Sequence, residues 1–302
     1  MSKVGVVSLG CDKNRVDTEK MLAMLANSQN TLVGSVEESD IVIVNTCAFI
    51  HDAKEESIDS ILEVANYKDK KIIVTGCLSQ RYADDLLKDI PEVCAVLGTN
   101  QYTKILEVIS RVEKGERVKE LESVDEFTTE RILTTIPHYA YLKISDGCNN
   151  RCTYCSIPSI RGKYRSCPIN QLIEEAKGLL DEGVQELILV AQDVSRYGED
   201  LYGENKLIEL ISELEKLEFK TIRLMYMYPE KITDELIDKI ASSNRIAKYL
   251  DVPFQHASNK ILKLMNRHQT KEQYLELIGK LRKSDIAIRS SFIVGQMKIL
   301  RN

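Results

Sequence analysis

The sequence predicts an α/β chain: an N-terminal open parallel α/β sheet domain followed by a partial (βα) TIM-like barrel. Two observations predict it. Three apolar β-type runs, VGVVSLGC, DIVIVNTC and KIIVTGC, each end in a cysteine and lead into a helical pattern, the alternation that builds parallel sheets with helical crossovers. Further along, strand-like segments at 139–145, 186–191, 221–227, 249–254 and 286–294 are separated by helical ones, as in a βα series of fewer than eight units.

Taken in order, the first domain is expected over 1–118. Its helices are amphipathic: in KEESIDSILEVA, Ile58, Ile61, Leu62 and Ala65 recur at helical spacing. The stretch KGERVKELESVDEFTTERI is highly charged and poorly periodic, which predicts a linker or short hairpin over 119–135. The second domain is expected over 136–302. Its first strand, in HYAYLKIS, carries Tyr139 and Tyr141; the loop after it passes Ser159, Ile160, Arg161 and Gly162 before a helix begins near Ile169.

Composition bounds the function. The chain has 302 residues, 43% hydrophobic and 29% charged, which suits two ordinary globular domains. No run approaches the ~20 apolar residues that span a bilayer, and MSKVGVVSLG lacks the basic start and apolar core of a signal peptide. A cytoplasmic protein with no membrane partner is expected. Eight cysteines are too sparse for a disulfide scaffold and read as ligands or free thiols.

Six of those cysteines form two sets. Cys148, Cys152 and Cys155 stand at C-x3-C-x2-C on one loop, at the C-terminal end of the first barrel strand, where barrels place their active sites. An electron-transfer cluster usually takes four thiolates, and a structural zinc site also fills its fourth position. Three thiolates leave one iron open for chemistry. A zinc knuckle is the alternative. Cys11, Cys47 and Cys77 each close a strand of the first domain, so a parallel sheet brings them to one edge; the alternative is three small buried hydrophobes.

The motif SDGCNNRCTYCSIP, with aromatic Tyr154 before its last cysteine, resembles the signature of the radical S-adenosylmethionine enzymes. With the N-terminal trio, the chain is similar to the methylthiotransferases of that family, and SLGCDKNRVDTE, NTCAFIHDAKEESID, ISDGCNNRCTYCSIPSIRGKYRS and AQDVSRYGEDLYG resemble the RimO-like branch from Val4 to Gly295. The resemblance implies two [4Fe-4S] clusters, one on each trio, and S-adenosyl-L-methionine bound at the second. It further implies a methylthio group added to the β-carbon of an aspartate on a small ribosomal subunit protein, with an electron donor such as flavodoxin or ferredoxin. A net charge of −5 suits a basic protein substrate better than a polyanion. The alternatives are a tRNA adenosine methylthiotransferase (MiaB-like) and a non-catalytic iron–sulfur or zinc binder.

Other residues follow from position. Gln192 and Asp193 after the second barrel strand, and Gln255 and His256 after the fourth, are expected to line the barrel mouth and touch nucleotide or substrate. Arg161 and Arg165 either offset the negative cluster, pair with a carboxylate or lie as solvated loop charges. Asn45 and Gly10 are expected to shape the loops that present the thiolates, while His51, His138 and His268 are placed at the surface. Cys94 and Cys167 match no ligand position, and Cys167 stands where the family commonly has arginine. After Gly295 the family's glycine-proline-glycine-glutamate segment is replaced by QMKILRN, which predicts a barrel truncated after its fifth strand and lacking the small C-terminal β-barrel domain.

Overall fold

The computed structural model describes residues 2–122 and 126–295. The expectation attached to QMKILRN lies outside the described residues. The chain divides into two compact units, one of Met1–Thr134 with Ser159–Arg161, the other of Thr135–Pro158 with Gly162–Asn302.

The first unit alternates β1 (Lys3–Ser8), α1 (Asp12–Ala26), β2 (Thr31–Leu32), β3 (Ile41–Thr46), α2 (His51–Ala65), β4 (Lys71–Gly76), α3 (Cys77–Asp89), β5 (Val93–Leu97), α4 (Ile105–Glu113) and β6 (Val118–Glu120). Its sheet has the order β2-β1-β3-β4-β5-β6, and every pairing is parallel. Alternate side chains point to opposite faces, and both faces are covered. Val42, Val44, Ile72 and Val74 pack with Ile61 and Val64 of α2 and Leu78 and Leu86 of α3. Ile41, Ile43 and Ile73 pack with Met21 and Leu25 of α1 and Val108 and Val112 of α4. Two-sided burial explains why IVIV and IIV read as continuous apolar runs. In α2, Ile61 and Ala65 are buried but Leu62 is 46% exposed, a departure from the expected apolar stripe.

Parts of the charged stretch after α4 pack on the first unit. Val118–Glu120 adds a sixth strand, with Val118 fully buried. Farther on, Arg131 and Glu19 form a buried ion pair, and the Glu19 carboxylate also accepts from the backbone N–H and hydroxyl of Thr134, both at 2.8 Å. Lys20 donates to the carbonyl of Thr128 at 2.5 Å. Polar residues of α1 are therefore buried against this segment.

The second unit runs β7 (Tyr139–Lys143), β8 (Ser145–Asp146), a short α5 (Ile157–Ile160) whose last two residues count with the first unit, β9 (Arg165–Ser166), α6 (Ile169–Asp181), β10 (Glu186–Val190), α7 (Leu207–Glu215), β11 (Thr221–Leu224), α8 (Asp234–Ser242), β12 (Ile246–Asp251), α9 (Asn259–Leu264), α10 (Lys271–Lys283) and β13 (Ala287–Arg289). Five strands pair in chain order, β7-β10-β11-β12-β13, all parallel. The expected strands all exist, with shifted ends. The fourth begins at Ile246 rather than 249, and the fifth shrinks to Ala287–Arg289, followed by a bridge from Phe292 to Gln255.

Candidate iron–sulfur and nucleotide sites

In the first unit β1, β3 and β4 lie side by side, with Ser8 opposite Asn45 and Thr46 opposite Gly76. Their C-terminal ends therefore deliver three thiols to one edge. Cys11 is the N-cap of α1 and Cys77 the first residue of α3. Cys47 and Cys77 are buried and share a hydrogen bond; it pulls the Cys47 thiol down and pushes Cys77 up, and burial adds to the rise at Cys77. Cys11 is close enough for its charge to act on Cys47.

Polar side chains fix this edge. The Asn14 amide donates to the carbonyl of Thr46 at 2.8 Å, and its oxygen accepts from Cys77 Sγ at 3.9 Å. Asn45 donates to the carbonyl of Asn14 at 2.9 Å and to the Thr18 hydroxyl at 2.8 Å. The Ser57 hydroxyl accepts from the Cys47 backbone N–H at 3.0 Å. Asn45 has the expected shaping role; Asn14, Thr18 and Ser57 were not singled out, since single polar residues on a helix carry no sequence signal of what they face. The expected role of Gly10 has a steric basis, as a Cβ there would meet Cys47 Cβ at 2.8 Å.

Gly76 is more constrained. Its φ of 95° and ψ of −156° belong to a region open essentially to glycine alone, and a Cβ would lie 2.4 Å from the Thr46 carbonyl oxygen. Gly76→Ala is expected to destabilise the first unit by about 1–3 kcal/mol and to lower metal uptake by the N-terminal trio. Denaturant midpoints read the first effect, and an unchanged midpoint would refute the steric account.

In the second unit the loop after β7 is clamped at its base by the antiparallel pair β8–β9. Gly147 turns the chain at φ +76°, where a Cβ would lie 2.1 Å from the Lys163 carbonyl oxygen. Cys148 N–H donates to the carbonyl of Gly162 at 3.2 Å, and Cys155 N–H to that of Cys152 at 3.0 Å. The end of α9 props the loop: Thr153 donates to the carbonyls of Met265 and Leu264, and Asn266 to that of Arg151. Burial pushes the Cys148 thiol up to about 12 and raises Cys155 as well. Cys152 Sγ lies 3.7 Å from the Tyr228 hydroxyl and 4.0 Å from Arg267 Nη1. Arg267 in turn stacks over the Tyr228 ring at 3.9 Å and donates to the carbonyl of Pro253 at 2.7 Å. Tyr228 and Arg267 lie 76 and 115 residues from Cys152 in sequence, and nothing local marks them.

The four polar residues expected at the barrel mouth differ in what they touch. Both amide atoms of Gln192 are buried with no hydrogen-bond partner, an arrangement that suits a bound polar group. Asp193 is committed to protein: it accepts from Ser195 N–H at 3.1 Å and from Asn150 of the cysteine loop at 2.6 Å, and burial raises its pKa. Gln255 sits at φ 69°. His256 Nδ1 accepts from Ser258 N–H at 2.9 Å. His51, His138 and His268 are exposed. Arg161 does not lie as a solvated loop charge: it belongs to the first unit, 2% exposed, paired with Asp17 at 3.3 Å.

Three thiolates at each site suit an iron–sulfur cluster with one open iron, whereas a structural zinc takes four ligands. A tetrahedral zinc with bonds of ~2.3 Å draws its sulfurs to about 3.8 Å from one another. Among the described residues, the one group of three or more possible metal ligands with all donor atoms within 4.8 Å is the exposed His51, Asp52 and Glu55.

Residues 3–98 match the model described as uncharacterized protein family UPF0004, and residues 142–297 that of the radical SAM superfamily. A protein of Acetivibrio thermocellus named ribosomal protein uS12 methylthiotransferase RimO is 50% identical over 97% of this chain and 68% of its own length. One of the same name from Lachnoclostridium phytofermentans is 52% identical over 97% and 69%. The chain belongs to the RimO family of radical SAM methylthiotransferases. Solved structures add the fold alone. The radical SAM methyltransferase TsrM of Kitasatospora setae, with tryptophan and a SAM analogue bound, matches at TM-score 0.72 and 12% identity, covering 95% of this chain and 67% of that one. The cobalamin-dependent radical SAM enzyme OxsB matches at 0.68 and 15%, covering 97% and 49%. Among the described residues no helix is long and apolar enough to cross a membrane.

Proposed function

We propose that this chain is a radical SAM methylthiotransferase whose substrate is ribosomal protein uS12, with the methylthio group added to the β-carbon of an aspartate. The observation that carries the reading is the pairing of two separate three-cysteine sites, each at C-terminal strand ends of a parallel sheet, in a chain about half identical to proteins of that name. Cys11, Cys47 and Cys77 hold one [4Fe-4S] cluster, and Cys148, Cys152 and Cys155 hold the other. When bound, these groups supply an open iron for sulfur in the first unit and one-electron cleavage of S-adenosylmethionine in the second.

The chain's own residues bind and orient. Gln192 offers both a donor and an acceptor to the bound nucleotide, which supports the nucleotide role given to it. Asp193 holds Asn150 and so steadies the cysteine loop behind Cys148. Gln255 and His256 complete the set after β12, His256 with the ring orientation set by its turn bond to Ser258. The electron donor is a small reductant of the flavodoxin or ferredoxin type, and the protein works in the cytoplasm.

Iron, acid-labile sulfide and zinc per chain, measured after anaerobic reconstitution, test the architecture. Two four-iron sites predict about eight irons with matching sulfide; zinc without sulfide would overturn the reading. Mass analysis of uS12 against tRNA after incubation with the reconstituted chain then decides the substrate, and label in tRNA adenosine alone would refute uS12.

A further inference from the structure

Arg161 follows Cys155 by six residues, yet its side chain is built into the first unit. The guanidinium is 2% exposed. Its Nη1 lies 3.3 Å from the Asp17 carboxylate, its Nη2 bonds the Asn14 side-chain oxygen, and the same Nη2 reaches Cys77 Sγ at 3.9 Å. The backbone around it is tied down too: Thr99 Oγ1 donates to the carbonyl of Ile160 at 3.2 Å, and Asn100 Nδ2 to that of Arg161 at 3.4 Å. Burying a guanidinium is costly unless its charge is met. Asp17 and Asn14 are among the groups that meet it, and one nitrogen is aimed at sulfur. A segment that needed only an anchor could end in an apolar side chain, as Ile160 does in the core beside it.

We propose that Arg161 is a positioning and charge-setting residue of the N-terminal cysteine site, holding a fixed positive charge against the sulfur of Cys77 and raising the reduction potential of the iron–sulfur group there. The inference rests on the reading of Cys11, Cys47 and Cys77 as cluster ligands. A positive charge close to a cluster favours its reduced, more negative state, and in a buried site such a charge is weakly screened. Asn14 couples the parts, since its oxygen meets both Arg161 and Cys77 while its amide holds the strand end before Cys47. The segment following the second cysteine loop thereby sets the electrostatics of the first cysteine site.

The test uses the full chain with Cys148, Cys152 and Cys155 all changed to Ala, so that only the N-terminal site takes up iron. Iron and sulfide per chain and the midpoint of an EPR-monitored reductive titration are read in this parent and in added variants. Arg161→Gln is expected to keep about four irons and move the midpoint to more negative potential, with Arg161→Lys in between. Asp17→Asn removes the opposing charge and is expected to move it the other way. Equal midpoints in parent, Arg161→Gln and Asp17→Asn at full iron would overturn the inference while leaving the ligand assignment intact. A parent that takes up no iron would overturn the ligand assignment and the inference with it. If Arg161→Gln fails to hold iron, the sign of the Asp17→Asn shift decides.

Discussion

Cys152→Ala is expected to abolish reductive cleavage of S-adenosylmethionine and to lower the iron content from about eight to about four per chain. The loop offers three thiolates and no fourth, so losing one leaves too few to hold a cubane. The backbone has other anchors: Thr153 and Arg151 are tied to α9, and Cys148 and Cys155 keep their backbone bonds. Arg267 retains its stack on Tyr228 and its bond to Pro253. The variant should therefore fold with a melting temperature near that of the parent and keep the N-terminal cluster. Deoxyadenosine release under dithionite is the measurement; release at the unaltered rate would remove the catalytic role from this loop.

Changing Cys47→Ala is expected to give the complementary result, with nucleotide cleavage preserved and methylthio transfer to uS12 reduced more than about 100-fold. Removing a residue that merely hydrogen-bonds a metal ligand costs roughly 10–100-fold, and Cys47 is placed as a ligand itself. Its N–H stays bonded to Ser57, so the strand end keeps its course. The substitution also removes the sulfur beside Cys77, leaving that buried sulfur with Arg161 and Asn14 as its neighbours. Mass spectrometry of the uS12 product alongside deoxyadenosine release separates the two activities. Methylthiolated product at normal yield would make the N-terminal trio structural.

Much of this architecture was legible because its causes are local. Strands buried on both faces must be apolar throughout, so DIVIVNTC and KIIVTGC announce a covered parallel sheet, and a cysteine closing each run can only arrive at its C-terminal edge. The linker over 119–135 was less legible. Its charges predicted a linker or short hairpin and said nothing of partners: Lys119 and Glu120 pair with the sheet and Arg131 is buried on Glu19, an ion pair that exists only because α1 presents a carboxylate inside the unit. Leu62 failed for the opposite reason: helical spacing does not say how wide a face the sheet covers.

The sequence by itself determined the order of strands and helices, the six thiols and their grouping in threes, and the glycine before Cys11, since periodicity, ligand type and backbone freedom are properties of short stretches. Only the tertiary structure decided the surroundings of those thiols. Tyr228 and Arg267 come to Cys152 through strand order, Gln192 is left with both amide atoms buried and unpaired, and Arg161 is carried away from its own loop to the sulfur of Cys77. The reason is physical: a buried charge or amide takes the partner that the packing of distant segments brings within reach, and no local pattern of residues encodes that distance.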